Sequence, residues 1–211
     1  MTTTIGIIGA GSVGSALAQT LTRAGYRVQL GVRPGSDVGA LLQRCGGKAV
    51  AGTVREAFAA AEVTFLCVPA SAAVAVARDG GDLRRKVIVD CTNPVRWDNG
   101  PVLAPPPEGS VAAALAAAVP EARVVKGFNT FGAEVHRDPS LGGAPAEVLL
   151  AGDDGIALER VGEVASRAGF APIVAGPLRN AALLEALAVL WIQLATAGGQ
   201  GRAFVFRLAR R

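Results

Sequence analysis

Thr4-Ile5-Gly6-Ile7-Ile8, followed directly by Gly9-Ala10-Gly11-Ser12-Val13-Gly14, is the stretch that decides the fold. Its first five residues are a short apolar run that ends at a glycine cluster, which predicts a buried strand. From Ser12 to Ala24 the apolar residues recur at helical spacing, and Gly25 ends the pattern. A G-x-G-x-x-G loop between a strand and a helix is typical of a site that binds the diphosphate of a dinucleotide.

The glycines of this loop have separate physical roles. Gly9 makes the tight turn out of the strand, Gly11 lets the backbone approach the pyrophosphate, and Gly14 lets the helix pack closely on the strand. The diphosphate would lie on the free N–H groups and the positive dipole end of the helix. We therefore predict that the whole loop binds a dinucleotide: Gly9, Ala10, Gly11, Ser12, Val13 and Gly14.

The residues that follow the second predicted strand indicate which dinucleotide binds. An NAD site usually has a carboxylate there, which accepts a hydrogen bond from the ribose 2′-hydroxyl. This chain reads Leu30-Gly31-Val32-Arg33-Pro34, and the nearest carboxylate, Asp37, belongs to the start of the next helix. Arg33 is suited to bind a 2′-phosphate and to stack on adenine, so NADP is favoured. The alternative is that Arg33 is an ordinary exposed arginine.

Strands and helices alternate along the rest of the chain. Further strands are predicted at residues 27–30, 49–50, 63–68, 86–90, 122–126, 147–151, 171–174 and 202–208, and helices at 36–44, 53–60, 71–78, 110–119, 153–168 and 180–197. This order implies right-handed crossovers. The predicted class is α/β: a Rossmann-like, doubly wound, mostly parallel sheet. The long last helix and the final strand would form a small C-terminal extension.

One domain is expected for the 211 residues. Residues 99–109 contain four prolines and two glycines, which predicts a surface loop rather than a helix or strand. This loop separates a dinucleotide-binding half, residues 1–98, from an acceptor-side half, residues 110–211. We do not expect either half to fold alone.

Composition narrows the choice of compartment and partner. Apolar residues make up 51% and charged residues 18% of the chain, as in a packed globular protein. The net charge is +4, but no basic stripe is interleaved with aromatic residues, so nucleic-acid binding is not expected. The N-terminus lacks a basic region before its apolar run, and the Ala-rich stretches 111–119 and 181–197 fit buried helices better than membrane spans. A cytoplasmic protein without a membrane partner is predicted.

Candidate catalytic and metal-binding residues are few. Cys45, Cys67 and Cys91 are too widely spaced to indicate a disulfide framework or a zinc site, so no metal is predicted. The single histidine, His136, is not accompanied by a Gly-x-Ser-x-Gly motif, and its neighbours predict a surface loop. Tyr26 lies in the turn before the second strand, without the lysine of a Tyr-x-x-x-Lys pair.

Lys126-Gly127-Phe128-Asn129 matches the Lys-x-x-Asn spacing of β-hydroxyacid dehydrogenases. In those enzymes the lysine lies on a helix, whereas here it ends a predicted strand, so we interpret the match as a coincidence. No catalytic proton-transfer residue is therefore predicted. Reduction of a ketone or an imine needs a proton donor, whereas hydride exchange between two ring systems needs mainly juxtaposed rings and exclusion of water.

Several stretches together resemble the coenzyme F420-dependent NADP oxidoreductase family, over residues 4–208. Besides the glycine loop they are Gly31-Val32-Arg33, Val68-Pro69, Val125-Lys126-Gly127-Phe128-Asn129-Thr130, Ala151-Gly152-Asp153-Asp154 and Ala175-Gly176-Pro177-Leu178-Arg179-Asn180. The last stretch is the most specific. A similar domain binds NADPH in membrane ferric reductases.

The resemblance implies an NADP-binding domain, often dimeric, in which the nicotinamide lies across the carboxyl ends of the strands and faces a deazaflavin. It implies that Ser12, Val32 and Arg33 contact the phosphate and ribose groups. The residues implied to line the nicotinamide and acceptor pocket are Val68, Pro69, Asn93, Pro94, Asn129 and Thr130. Val32-Arg33-Pro34 stands where F420 enzymes commonly have two arginines, which removes one phosphate contact.

The predicted function is NADP(H)-dependent hydride transfer to a planar redox acceptor, either coenzyme F420 or a flavin. The alternatives are a reductase of a small carbonyl or imine and a non-catalytic NADP(H)-binding sensor subunit. The helix at residues 180–197 is apolar on nearly every side, and the sheet of so short a chain can cover only one side of it. We therefore expect a homodimer that uses this helix or the final strand.

Overall fold

The computed structural model describes residues 3–209, and its centre is an eight-stranded sheet. The strands are β1 (Thr4–Ile8), β2 (Arg27–Gly31), β3 (Ala49–Gly52), β4 (Val63–Leu66), β5 (Val87–Asp90), β8 (Arg123–Lys126), β11 (Glu147–Gly152) and β12 (Ala171–Val174). Their order is β12-β11-β8-β5-β4-β1-β2-β3, and every neighbouring pair is parallel except β11 with β8. The predicted α/β class with a mostly parallel sheet is confirmed.

Within residues 3–209, eight α-helices connect and cover the strands. They are α1 (Ser12–Arg23), α2 (Gly39–Arg44), α3 (Val54–Ala60), α4 (Ala73–Arg78), α5 (Val111–Ala118), α6 (Ala133–Arg137), α7 (Gly155–Arg167) and α8 (Ala181–Thr196). Short 3-10 turns precede α4 and α8, at Ala70–Ala72 and Leu178–Asn180. One apolar cluster joins the sheet to α1, α2, α6 and α7, and a second joins it to α3, α4 and α5, so both faces are covered.

Side-chain caps explain where several helices begin. Thr53 and Glu56 form a reciprocal capping box at the start of α3. The Ser110 side chain accepts the Ala113 N–H at the start of α5, and Asp154 accepts the Ala157 N–H at the start of α7. Ser36, by contrast, does not cap α2, because that helix begins later, after Val38.

Two predictions for the second half of the chain were wrong. Part of the segment 99–109 is not a loop: β6 (Val95–Trp97) and β7 (Pro101–Leu103) form an antiparallel hairpin that packs on α8. The final strand predicted at 202–208 is not present in that described segment, which instead lies on the surface as a tail without regular secondary structure. Side chains hold the tail in place of a strand ladder, since Trp191 Nε1 donates to Phe204 O and the two rings stack.

Three further short elements among the described residues were missed by the sequence patterns. They are α6 and the two-residue strands β9 (Ser140–Leu141) and β10 (Ala144–Pro145). Each is too short to show a period. The α6 helix packs closely on α1, and the Thr20 hydroxyl donates to the carbonyl of His136. This contact fixes α6 next to the loop that follows β8.

The α8 helix runs from the second apolar cluster, at Ala181, to the first, at Trp191. With the preceding 3-10 turn it forms a 19-residue segment, Leu178–Thr196, in which an 18-residue stretch has a mean hydropathy of 1.4 and is 39% buried. By length and composition this is the one described helix that could cross a membrane, and core helices of soluble proteins reach the same values.

Candidate functional site

The sequence-predicted site residues come together at one edge of the sheet. Strands β2, β1, β4, β5 and β8 are adjacent and parallel, so the loops after their carboxyl ends leave the same edge. From one side to the other, these loops carry Val32 and Arg33, the glycine loop, Val68 and Pro69, Asn93 and Pro94, and Asn129 and Thr130. In open α/β sheets, ligands bind in the crevice along this edge.

Two glycines of the loop are required by its packing. Gly9 has φ +96°, a conformation that L side chains rarely adopt, and a Cβ there would lie 2.4 Å from the Cys67 carbonyl oxygen. At Gly14 a Cβ would lie 2.0 Å from the carbonyl oxygen of Gly9. The loop therefore turns tightly against the end of β4, and α1 approaches the loop backbone closely.

Gly11 differs, because it faces open space. No heavy atom of the described residues lies within 4 Å of the position that a Cβ would take there, and the φ of Gly11, −69°, is an ordinary one. Gly11 is the N-cap of α1, with no side-chain cap on the helix. The N–H groups of the first turn are thus free to bind an anion, and the site fits the diphosphate of a dinucleotide.

The end of β2 has the features expected for NADP. Arg33 is exposed, and its guanidinium has no hydrogen-bond or ion-pair partner among residues 3–209. Asp37, the nearest carboxylate along the chain, accepts the backbone N–H of Gly39. The Asp37 carboxylate is therefore engaged in a hydrogen bond at the start of α2.

Two arginines beside the glycine loop were not recognised from the sequence. A groove of about 660 Å³ runs from the loop along the outer face of α1, lined by Ala10, Gly11, Ser12, Ser15, Gln19, Arg44 and Arg137. Within the described part of the chain, neither Arg44 nor Arg137 is ion-paired. They add positive charge beside the predicted diphosphate position. No motif indicates this, because the two residues are 93 positions apart and meet only across α1.

Two asparagines connect the loops after β5 and β8. Asn129 Nδ2 donates to Asn93 Oδ1 at 2.9 Å, and Asn93 Nδ2 donates to the Asn129 carbonyl oxygen at 2.8 Å. Asn129 Nδ2 also donates to Leu184 O on α8 at 3.0 Å. The acceptor side of the edge is therefore a connected structure rather than two independent loops.

Lys126, three residues before Asn129, is completely buried. Its ammonium donates to Asp90 Oδ2 at 2.9 Å, to Thr92 O at 2.5 Å and to Glu185 Oε1 at 2.8 Å. These bonds use all three of its protons. Lys126 ends a strand, as predicted, and its bonding leaves it no proton to donate to a substrate.

The sequence did contain a signal for this ion-pair cluster. Asp90 and Lys126 each end an apolar strand, and the two positions are paired in register across β5 and β8. Glu185 is the one charged residue within α8. Its side chain also accepts the Val111 N–H at the start of α5, and burial is the main reason that its pKa is raised. A charged residue in an otherwise apolar strand or helix usually has a partner of opposite charge, because an unpaired buried charge is very costly.

His136, predicted to lie in a surface loop, is instead fully buried on α6. Its ring is in contact with the rings of Phe128 and Phe131. Burial lowers the pKa of His136 to about 4, although backbone contacts with Gly132 and Phe128 oppose that shift. The imidazole is therefore neutral at physiological pH. No group of three or more His, Cys, Asp or Glu residues arranged to hold a metal ion is found among residues 3–209.

Known proteins share this fold. Residues 4–94 match the family "NADP oxidoreductase coenzyme F420-dependent". A provisionally assigned F420-dependent NADP reductase from Arthrobacter sp. FB24 superposes with a TM-score of 0.85 at 28% identity, covering 98% of this chain and 99% of that one. The hypothetical protein SMa0349 from Sinorhizobium meliloti superposes with a TM-score of 0.74 at 30% identity, covering 84% and 86%.

A mammalian relative is longer. The metalloreductase STEAP3 of Rattus norvegicus is 29% identical over 184 residues, which are 87% of this chain and 36% of the rat protein. This chain thus spans about a third of that relative's length.

The glycine loop, the parallel sheet and these likenesses together define an NADP-dependent oxidoreductase of Rossmann-like fold. The chain belongs to the coenzyme F420-dependent NADP oxidoreductase family.

Proposed function

We propose that this protein transfers hydride between NADP(H) and a planar redox acceptor, coenzyme F420 or a flavin. The family and the Arthrobacter relative support a deazaflavin acceptor. The observation that carries the proposal is the bonding of Lys126, whose three protons are all held by Asp90, Thr92 and Glu185. A planar acceptor of this kind can take its proton from water, whereas a carbonyl or imine needs a donor within the site.

Each part of the edge has a task in this proposal. The free N–H groups at the start of α1 hold the diphosphate, and Arg33 contacts the 2′-phosphate. Bound NADPH supplies a hydride from C4 of its nicotinamide. Val68 and Pro69 after β4, and the linked loops of Asn93 and Asn129 after β5 and β8, orient the two rings and exclude water between them.

The test is oxidation of NADPH under anaerobic conditions, followed at its absorption band, with F420, FMN, a ferric chelate and a small cyclic ketone as separate acceptors. The proposal expects turnover with F420 or FMN, one acceptor reduced for each NADPH. Turnover only with the ketone would favour carbonyl reduction, and tight NADPH binding without turnover would favour a sensor. Turnover only with the ferric chelate would favour a metalloreductase activity.

The matched control is Gly11→Val in the same assay. This substitution removes the close approach of the diphosphate and leaves the carboxyl edge otherwise unchanged. In this variant, both NADPH binding and the reduction of F420 or FMN should be lost. Persistence of turnover in this variant would show that NADPH reacts elsewhere on the protein.

A further inference from the structure

His136 has an unusual pair of neighbours. Its Nε2 atom lies 2.9 Å from the Phe128 carbonyl oxygen, and its Nδ1 atom lies 2.9 Å from the Gly132 carbonyl oxygen. A neutral imidazole carries one proton, so it can donate to only one of these oxygens.

The other contacts of the two carbonyls indicate where the proton lies. Gly132 O also accepts the backbone N–H groups of Val135 at 3.1 Å and of His136 at 3.3 Å. Phe128 O has no other donor among the described residues. Because a buried carbonyl without a partner is costly, the proton belongs on Nε2, where it satisfies Phe128.

Phe128 is the residue whose geometry this bond controls. Its φ is +58°, in the left-handed region that is uncommon for a bulky residue. Its ring is fixed edge-to-face between Phe65, at 5.0 Å, and Phe170, at 5.3 Å. With both its ring and its carbonyl held, Phe128 sets the direction in which the chain leaves β8.

The residue after this turn is Asn129, which bonds to Asn93 and to Leu184 O. The α6 helix that carries His136 is anchored separately, because the Thr20 hydroxyl of α1 donates to His136 O at 2.7 Å. Through His136 and Phe128, α6 is thus connected to the acceptor-side loop.

We propose that His136 is a positioning residue: its Nε2–H group holds the Phe128 carbonyl and so places Asn129 and Thr130 at the acceptor side of the site. His136 touches neither cofactor nor acceptor. The functional part of this inference rests on the proposed hydride transfer, whereas the structural part can be tested without it.

Two substitutions separate the hydrogen bond from the packing. His136→Gln keeps a donor at the distance of Nε2, and His136→Phe keeps a ring between Phe128 and Phe131 but has no donor. Thr20→Val is the matched control, since it removes a buried hydrogen bond to the same helix and leaves the Phe128 carbonyl satisfied.

The kinetic expectation is a split between binding and turnover. His136→Phe should lower kcat with F420 or FMN by about ten- to a hundredfold, the range for a misplaced catalytic geometry. The NADPH dissociation constant should change little, because the diphosphate and the 2′-phosphate are bound at the glycine loop and at Arg33. His136→Gln should restore most of kcat, and Thr20→Val should lower thermal stability with kcat retained. Equal losses of kcat in His136→Phe and Thr20→Val would overturn the proposal.

The structural readouts do not depend on activity. His136 is the single histidine of the chain, so ¹⁵N-histidine labelling of tag-free protein gives one imidazole, which we expect to carry its proton on Nε2. The side-chain amide signals of Asn129 should move in His136→Phe and stay at the wild-type position in His136→Gln. A proton on Nδ1, or unmoved Asn129 signals in His136→Phe, would overturn the proposal. If wild type oxidises no NADPH while both NMR results hold, it is the proposed function that fails.

Discussion

At the residue scale, Gly11 and Gly14 are expected to respond differently to a side chain. Gly11→Val should fold with a melting temperature close to that of wild type, because its Cβ meets no atom, and should bind NADPH far more weakly. Gly14→Ala should instead lower the melting temperature, because its Cβ would overlap the Gly9 carbonyl. Calorimetry and thermal unfolding measure the two effects. Near-normal NADPH affinity in Gly11→Val would contradict the assignment of the diphosphate site.

Arg33 carries the prediction of NADP preference. A charge-assisted hydrogen bond contributes roughly 1.5–3 kcal/mol. The low end applies to an exposed guanidinium beside Pro34, so Arg33→Ala should weaken NADPH binding by about tenfold and leave NADH binding nearly unchanged. Arg78→Ala is the control, because it removes one exposed charge on α4, away from the site. An equal loss for both dinucleotides would show that Arg33 stacks on adenine without contacting the phosphate.

At the element scale, the buried cluster of Lys126, Asp90 and Glu185 joins β5, β8 and α8. Lys126→Met would leave two carboxylates without their cation and should destabilise the fold by about 3–5 kcal/mol. Glu185→Gln keeps an oxygen for Lys126 and removes the excess negative charge, so it should be tolerated. Thermal unfolding of the two variants, compared with wild type, measures the contrast. Equal destabilisation by both would show that Glu185 must be charged for the cluster to form.

The same cluster predicts a pH dependence. The pKa of Glu185 is raised, mainly by burial, so the folded protein holds this proton more tightly than the unfolded chain. The free energy of unfolding should therefore fall as pH rises from the ordinary carboxyl range through the raised pKa. Glu185→Gln should lack this fall. The lowered pKa of His136 has the opposite effect on the free energy of unfolding. This effect is the same in wild type and in Glu185→Gln, so subtracting one free energy of unfolding from the other removes it. If the difference in free energy of unfolding between wild type and Glu185→Gln does not change with pH, the raised pKa of Glu185 is contradicted.

Elements with a strong period could be predicted from sequence, and elements held by particular side chains could not. All eight strands of the main sheet were identified, most of them because a buried strand is a short apolar run bounded by turn residues. The 202–208 segment has a similar apolar run, but its Phe204 ring stacks on Trp191 and Phe206 packs edge-to-face on Phe204, so it joins the core without a strand partner.

The site shows the same division. The position of the predicted site residues in loops after the strands followed from the motif and from the alternation of strands and helices. The burial of His136 could not be predicted in this way. It depends on Phe128 and Phe131, which surround the imidazole only when the loop after β8 folds back against α6. The functional roles of the site residues stay predictions.

At the scale of the whole molecule, we propose a homodimer formed through α8. The helix exposes Leu183 (66%) and Leu190 (49%), and its one charged residue, Glu185, is buried. Trp97 of the adjacent hairpin is also 62% exposed. Exposed large apolar side chains grouped on one helix and its adjacent hairpin are typical of an interface.

A double substitution tests this proposal. Leu183→Lys with Leu190→Lys should convert a dimer to a monomer in light scattering at micromolar concentration. Ile156→Lys, which places a charge at an exposed apolar position on α7, should leave the dimer intact. A wild-type protein that scatters as a monomer would refute the proposal. The cytoplasmic location stays a prediction.

The central claim is that this edge passes hydride from NADPH to a planar acceptor with no proton donor of its own. Its most direct test is a single anaerobic turnover of the purified protein with NADPH deuterated at C4 and with F420 or FMN. The account predicts that NADPH and acceptor absorbance disappear together in equal amounts, and that deuteration slows both to the same extent. Normal binding of NADPH with no loss of its absorbance in the presence of either acceptor would contradict the account.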